Sequence, residues 1–411
     1  QKWELNLGDI DIRQNDLYFL QFYKRLQGFS FSQNQTIGKQ AQNKLLVSGA
    51  IAKGKFTRNI FQGQEGNQGP YRLQGANGEL FFVVLANTER IFIDGELLQR
   101  GEDQDYIINY NTAEITFTPR RMITKDRRIQ VEFEYADRNY LNALLFASNS
   151  FEPSKKMKIT IGAYQNNDAK NSPINQPLDN IQKQFLANIG DSIQNALYEV
   201  ASIDTFSIDK ILYAKRKAAN SNDSIYVYST NSDSAKYALN FIEVGANKGN
   251  YIPLLNGANG KVYEYVEPIN GVKQGSFEPA TFLVTPKKQQ LVSMNIAYQF
   301  NKKNVLLADL AFSNYDINTF SSKDKANNTG YAGKLLFQNE QTAFIQQKKI
   351  FINSSIGYEW VNEQFKPLER LRTVEFARDW GLPFIQNSNN NLVTEHLPTT
   401  SIEIKDASEN N

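Results

Sequence analysis

The chain of 411 residues carries 45 Lys and Arg against 43 Asp and Glu, with one histidine and no cysteine. The missing cysteines exclude disulfides and thiolate sites, and the balanced charge lacks the basic excess of a nucleic-acid binder, so no nucleic-acid partner is expected. Aromatic residues reach 12% although the mean hydropathy is −0.50, which argues against disorder as the source of the polarity.

The first part of the chain, residues 1–63, is predicted to contain strands of a barrel wall. Leu45–Phe56 is one candidate strand, and strand-like sequence already begins at Trp3. No signal peptide precedes it, so we expect a processed protein or a fragment of a longer one.

Residues 64–138 differ from the rest in having many turn formers and short strand-like runs, and they are predicted to form a small β-sandwich or plug-like module. Turn formers cluster at its start, and short strand-like runs follow at close spacing, too short for membrane spans. A cluster of basic residues between them is interpreted as a solvated turn and strand edge, with a phosphate or lipid site as the alternative. The strands are Leu80–Leu85, Arg90–Ile93, Tyr106–Tyr110, Glu114–Thr118 and Arg128–Tyr135, and the basic residues are Arg120, Arg121, Lys125, Arg127 and Arg128.

Residues 139–171 are predicted to form a barrel hairpin, with Leu141–Phe151 as one arm and a second arm that begins at Met157. Residues 172–288 are predicted to form a loop domain that contains an amphipathic helix. The helix is indicated by an apolar stripe at four-residue spacing, which we assign to packing on the domain, with a membrane-surface anchor as the alternative. The stripe consists of Ile181, Phe185, Ile189, Ile193 and Leu197.

The same region holds two further predicted features. A second helix is predicted over Ser207–Lys217. The stretch 246–288 is rich in Gly, Pro, Asn and aromatic residues, including the loop Asn256–Gly260 and the pair Tyr263 and Tyr265. Such tyrosines could stack on a glycan, but simple packing is the preferred interpretation.

Residues 289–385 are again predicted to be barrel strands, and 386–411 a polar tail that contains the single histidine, His396. Val292–Phe300 and Leu306–Phe312 alternate apolar and polar residues around the short turn Asn301–Asn304, the pattern of a β-hairpin. The charged stretch Arg370–Trp380 is predicted to form a lumen-facing strand whose charge pairs hold the wall together. Further alternating segments start at Tyr331 and at Ile350.

The long alternating segments favour a membrane barrel over a soluble β-sandwich, which remains the alternative. Their nine to ten residues match the roughly 9–11 residues of a tilted spanning strand, and aromatic residues stand at the strand ends. No apolar run is long enough for a transmembrane helix. The fold class predicted is therefore mainly β: an antiparallel outer-membrane β-barrel, or part of a larger one, with an inserted plug-like module and a short helical insert.

No group of residues has the spacing of a catalytic, cofactor or metal site, so none of the three is predicted. The carboxylates of Glu102, Asp103 and Asp105 adjoin a turn, where they would accept backbone N–H bonds. The single histidine makes a catalytic triad or a zinc site improbable. Gly66–Gly69 is too short for a phosphate-binding loop. A calcium loop is the alternative to a plain surface loop for the oxygen-bearing residues Asp316, Asn318, Asp324, Asn327 and Asn328.

Three runs in the first half of the chain, Gln64–Gly75, Thr88–Gly95 and Arg100–Phe117, carry a resemblance to a known family. They resemble a module in large, mostly uncharacterised outer-membrane β-barrel proteins of Bacteroidota, and are similar to short β-modules in the barrel of the type IX secretion translocon. Three later runs look like the same family: Gly249–Tyr251, Val272–Pro279 and Ser313–Thr319.

The resemblance covers about 45–378 and brings no catalytic residues to this chain. The biochemical role of the family is not carried over. The absence of a credible active site and the strand length favour instead a non-enzymatic barrel in the cell outer membrane, in contact with its lipid, that acts in transport, secretion or assembly, with other outer-membrane or periplasmic proteins as partners. The alternative is a surface-exposed binding or scaffold subunit that holds a protein or a glycan. Asp406–Asn411 lacks the terminal aromatic residue common in such barrels, so we expect either that the barrel continues further or that these strands do not close one alone.

Overall fold

The computed structural model describes residues 2–38, 40–51, 54–76, 78–79, 82–136, 140–174, 176–218, 223–254, 260–345, 348–382 and 393–406. Twenty-eight strands and two α-helices lie in these residues, so the fold is mainly β and its sheets are antiparallel. The chain forms two compact units. The sheet unit comprises Gln1–Pro177 and Pro286–Asn411, and the insert unit comprises Leu178–Thr285.

The sheet unit is built on one ten-stranded antiparallel sheet in which each strand pairs with its neighbours in chain order. The strands are β1 Lys2–Gln14, β2 Phe22–Ile37, β3 Ala41–Ile51, β4 Tyr140–Ser154, β5 Met157–Pro173, β6 Lys288–Asn301, β7 Asn304–Asp316, β8 Thr329–Ile345, β9 Lys348–Val361 and β10 Glu395–Asp406. No pairing joins β1 to β10 among the described residues, so a closed barrel is not seen.

Alternation of apolar and polar side chains explains why these segments form long strands. The predicted hairpin is confirmed: Val292 pairs with Phe312, and the arms meet at Asn301 and Asn304. The predicted hairpin at 139–171 is confirmed as β4 and β5. Each strand thereby directs one set of side chains to each face of the sheet.

Two predictions for the end of the chain were wrong. The polar tail predicted for 386–411 contains β10, which pairs along β9 from Val361 to Ile350. Its residues alternate too, but Pro398 and several threonines made the pattern weak. The lumen-facing strand predicted for Arg370–Trp380 is irregular and contains only the short helix α2, Phe376–Asp379.

The inserted module begins earlier than predicted, at Lys55, and ends at Ala136. Its first strand, Lys55–Gln62, had been assigned to the wall but pairs with the module's last strand, Arg128–Ala136. Two small sheets surround one hydrophobic core. The other strands are Tyr71–Arg72, Val83–Val84, Arg90–Ile93, Glu96–Leu97, Tyr106–Asn109 and Glu114–Phe117.

The insert unit opens with the helix α1, Asn180–Asn188, which is shorter than the predicted stripe. Asp179 caps it by accepting a hydrogen bond from the Gln182 backbone N–H at 2.7 Å. Gly190, at a φ of 63°, ends it, because glycine adopts this left-handed conformation without strain. Only a 3₁₀ turn, Ile193–Asn195, follows.

The rest of the insert unit is made of short strands. The predicted helix over Ser207–Lys217 was wrong, since Tyr213–Lys217 is a strand paired with Ser224–Tyr228. Most of the predicted loop Asn256–Gly260 lies outside the described residues. The remaining strands are Leu197–Glu199, Ala201–Ile203, Tyr237–Leu239, Ile242–Glu243, Tyr251–Leu254, Val262–Tyr265, Phe277–Glu278 and Ala280–Phe282.

Neither α-helix of the described residues has the length and apolar character needed to cross a membrane.

Candidate functional site

The outer face of the ten-stranded sheet exposes large apolar side chains. One row of paired residues crosses eight strands without a polar interruption: Leu5, Phe31, Val47, Ala147, Ala163, Val292, Phe312 and Tyr331. On the flanking rows Leu7 is 74% exposed and Leu310 55%. Water would normally be excluded from so many apolar groups, so this face requires a cover.

The apolar band on the outer face slants across the sheet. The row that starts at Trp3 ends at His396 on β10, yet the exposed apolar residues of β10 are Ile402 and Ile404, farther along that strand. On β1 the band is centred on Leu5. It therefore moves by roughly one residue per strand, so the strands are tilted by about 35° from the perpendicular to the band, given the rise per residue and the strand spacing.

The inner face of the sheet carries buried polar side chains as well as buried apolar ones. Ser48, Thr160, Ser293 and Asp309 all lie on this face and are buried. The segment 15–21 folds over it: a Cβ on Gly162 would lie 2.5 Å from Leu17 and 2.9 Å from Leu20. Only a glycine at this point of β5 lets the two leucines reach the sheet.

A second segment, 362–372, is fixed to the inner face by charge. Glu359 of β9, which is buried, accepts hydrogen bonds from Tyr18 Oη at 2.9 Å and Arg372 Nη1 at 2.5 Å. Arg372 also contacts Glu395 at the start of β10, at 2.6 Å. These charge pairs join Arg372, which lies outside any strand, to β9 and β10.

The module is attached to the sheet and its loops by ion pairs, which we call the module interface. Lys24 of β2 contacts Glu134 at 2.5 Å, Lys55 contacts Asp168 of β5 at 2.7 Å, and Lys287 contacts Glu79. On the 362–380 side, the interface pairs are Arg370–Glu132 at 3.0 Å and Arg128–Glu375 at 3.7 Å.

Among the described residues, the buried apolar side chains on the two sides of the module interface do not form one core. The core of the module and the core under segments 15–21 and 362–372 are separate clusters with no residue in common. A cavity of about 210 Å³ lies between them. Its lining includes Lys24, Lys55, Arg58, Lys287, Lys366 and Glu369. Burial lowers the pKa of Arg58, against the attraction of Glu132, and burial raises the pKa of Glu369.

The candidate carboxylates of the module have structural partners. Asp105 accepts hydrogen bonds from the Gln99 backbone N–H at 2.8 Å and from Arg121 Nε at 2.9 Å. These bonds lower the pKa of Asp105, the Gln99 bond having the larger effect. Of the predicted basic cluster, Arg121 also pairs with Glu96, and Arg127 pairs with Asp94. Two members of the cluster are thus paired with neighbouring carboxylates, while Arg120 donates to the Asp103 carbonyl at 2.6 Å.

The candidate calcium loop holds a lysine ammonium in place of a metal. Lys325 Nζ donates to Asp316 Oδ1 at 2.6 Å and to the Asn318 carbonyl at 2.9 Å. Among the described residues no three His, Asp or Glu side chains are grouped as metal ligands. His396 lies on β10, where its Nδ1 is 2.6 Å from Tyr358 Oη.

Of the two tyrosines considered for glycan stacking, Tyr265 is half-buried and meets Tyr251 edge-on, whereas Tyr263 belongs to the core of the insert unit. Tyr263 is buried and stacks on Phe241 with ring centroids 4.4 Å apart. Tyr213 and Tyr251 are also buried, and burial raises the pKa of each to about 12. Rings packed in this way do not present a face to a sugar.

The fold and its site define an antiparallel β protein in which a small module is inserted between two adjacent strands of a long-stranded sheet. Residues 56–137 match the family model of a domain of unknown function (DUF8818), which coincides with the module. No curated protein and no solved structure matches the chain.

Proposed function

We propose that the ten-stranded sheet is part of the wall of an outer-membrane β-barrel and that the protein acts without catalysis in transport, secretion or assembly across that membrane. The observation that carries this proposal is the apolar outer face. Its register brings apolar residues of neighbouring strands side by side, and lipid is the cover that suits a band of this extent.

Strand length and slant support the same proposal. The strands have 11 to 17 residues, whereas strands of soluble proteins average about five to six. A spanning strand needs roughly 9–11 residues and is tilted by about 35–45° in a bilayer barrel. The slant of the apolar band agrees with such a tilt, because a band that is level in a membrane crosses tilted strands obliquely.

The module would act as a plug on the lumen side. It meets the inner face through Lys24, Asp168 and the residue that precedes β6, Lys287. A body with its own hydrophobic core and a charged, cavity-containing boundary can move without exposing apolar surface. Gating of a polar pore needs such an obstruction and no catalytic residue.

The alternative function is a binding or scaffold subunit whose insert unit holds a partner protein. Large aliphatic side chains of that unit support it, because Ile203 is 78% exposed and Ile208 is 92% exposed. Such groups are common in protein contact surfaces.

The test of the proposed function uses the cysteine-free sequence and two adjacent positions of β8. Phe337 belongs to the outer face and Gln338 to the inner face, and both are exposed. We would prepare Phe337→Cys and Gln338→Cys in the full-length protein, attach an environment-sensitive fluorophore and reconstitute each in vesicles of brominated lipid. We expect quenching by lipid at 337 and by aqueous iodide at 338.

Iodide quenching at both positions, with none from lipid, would show a water-covered sheet and end the barrel proposal. A heat-dependent shift in gel mobility of the protein from the outer-membrane fraction provides the independent check. A soluble protein without that shift would make binding the leading function.

A further inference from the structure

The two ends of the ten-stranded sheet differ in the length of their connections. At one end the turns β2–β3, β4–β5, β6–β7 and β8–β9 leave only two or three residues between paired strands. At the other end all connections are longer: 15–21, 52–139, 174–287, 317–328 and 362–394. Because consecutive strands alternate in direction, this division places every long connection at the same end.

The large insertions leave the sheet at the long-connection end. The module is inserted between β3 and β4, and the chain departs for the insert unit between β5 and β6. The module-interface residues Lys24 and Asp168 stand near the ends of β2 and β5 on that side, and Glu359 and Glu395 do so on β9 and β10. The strand residues that line the cavity of the module interface also lie toward this end of the sheet.

We infer that the long-connection end faces the cell exterior and that the module is reached by its partner or cargo from outside the cell. The inference depends on the proposed function. Outer-membrane barrels have short turns on the periplasmic side and longer loops on the extracellular side, and the chain has this asymmetry at all nine connections.

The exposed outer-face charges agree with this assignment. Beyond the apolar band, β1 and β2 continue toward the long-connection end with Asp9, Asp11 and Arg25, all exposed, and Asp11 pairs with Arg25 at 2.8 Å. Charged side chains on a lipid face are tolerated near an interface and not at the bilayer centre. The strands therefore extend past the membrane at this end.

The module surface that is reached from this end is largely polar. Met122 of the module is 71% exposed, but the neighbouring groups Arg120, Arg121 and Arg127 are charged. A periplasmic partner would instead meet the short turns, which present Lys155, Lys156, Lys302 and Lys303.

The test places single cysteines at both ends of the same strand. Lys302 lies in the short turn before β7 and Asn327 in the long connection after it, and both are exposed. Lys302→Cys, Asn327→Cys and Met122→Cys would be treated with a membrane-impermeant maleimide on intact cells and after lysis. As a folding control, each variant must be found in the outer-membrane fraction and must show the same heat-dependent gel mobility as the unmodified protein.

We expect full labelling of positions 327 and 122 on intact cells, and labelling of 302 only after lysis. Labelling of 302 on intact cells, alone or together with 327, would overturn the assignment of sides while leaving the barrel intact. Absence of the unmodified protein from the outer-membrane fraction would instead overturn the proposed function and this inference with it.

Discussion

Replacing Lys24 by methionine tests whether ion pairs hold the module on the sheet. The variant would leave the carboxylate of Glu134 beside Glu369 without its ammonium partner. Removal of one partner from a buried pair costs about 3–5 kcal/mol. Because the side chain of Glu134 is 22% exposed, we expect a value near the lower end, about 3 kcal/mol.

Native-state hydrogen exchange measures this cost locally. The amides of the module strand Arg128–Ala136 should exchange on the order of 100-fold faster in Lys24→Met, by the conversion of about 1.4 kcal/mol per factor of ten. The amides of β6 and β7 should not change, since they lie on the other side of the interface. The double variant Lys24→Met, Glu134→Leu should regain most of the protection, because no buried charge is left alone.

Two results would refute this reasoning. Unchanged exchange of Arg128–Ala136 in Lys24→Met would mean that the pair with Glu134 does not hold the module. Equal exchange in the single and double variants would mean that the stranded carboxylate is not the source of the loss.

Two further changes test the inner face and the module separately. Gly162→Val should lower the free energy of unfolding in detergent by about 1–3 kcal/mol through overpacking, whereas Ala163→Val on the outer face should not. Equal effects of the two changes would contradict the packing of segment 15–21 on β5. The pKa of Asp105 is lower in the folded module than in the unfolded chain, where it is about 3.9. The charged carboxylate therefore stabilises the module above that pH, and this stabilisation is lost as the pH falls through the pKa of the folded state. Asp105→Asn should thus speed amide exchange in Tyr106–Asn109 more at pH 6 than near pH 3, and a pH-independent effect would show that the charge is not the cause.

Much of the fold could be predicted because it follows from the local alternation of apolar and polar residues. The short strands Arg90–Ile93 and Glu114–Phe117 were predicted within a residue, and the strands around Val292 and Leu306 were predicted correctly but too short. Non-local pairing decided the rest. Lys55–Gln62 alternates like a wall strand but pairs with Arg128–Ala136, which no local pattern reveals.

The candidate site was only partly predictable. The outer face follows from strand periodicity, and the structural role of the Asp105 carboxylate followed from its place beside a turn. The module interface could not be foreseen, since Lys24 and Glu134 are 110 residues apart and nothing in either sequence neighbourhood signals the other. The role of Glu359 could not be predicted either, because a single carboxylate in a strand forms no motif with its sequence neighbours.

The pairing of the module's first and last strands has a consequence for how the sheet forms. Neighbours β3 and β4 are separated in sequence by the whole module, and such a distant pairing is slow to find because a long loop must close. Lys55 pairs with Tyr135 inside the module, close to the point where Ile51 pairs with Ala143 in the sheet. If the module folds first, the loop that must close between β3 and β4 is therefore short instead of long. The two strands can then pair as quickly as strands that are joined by a tight turn.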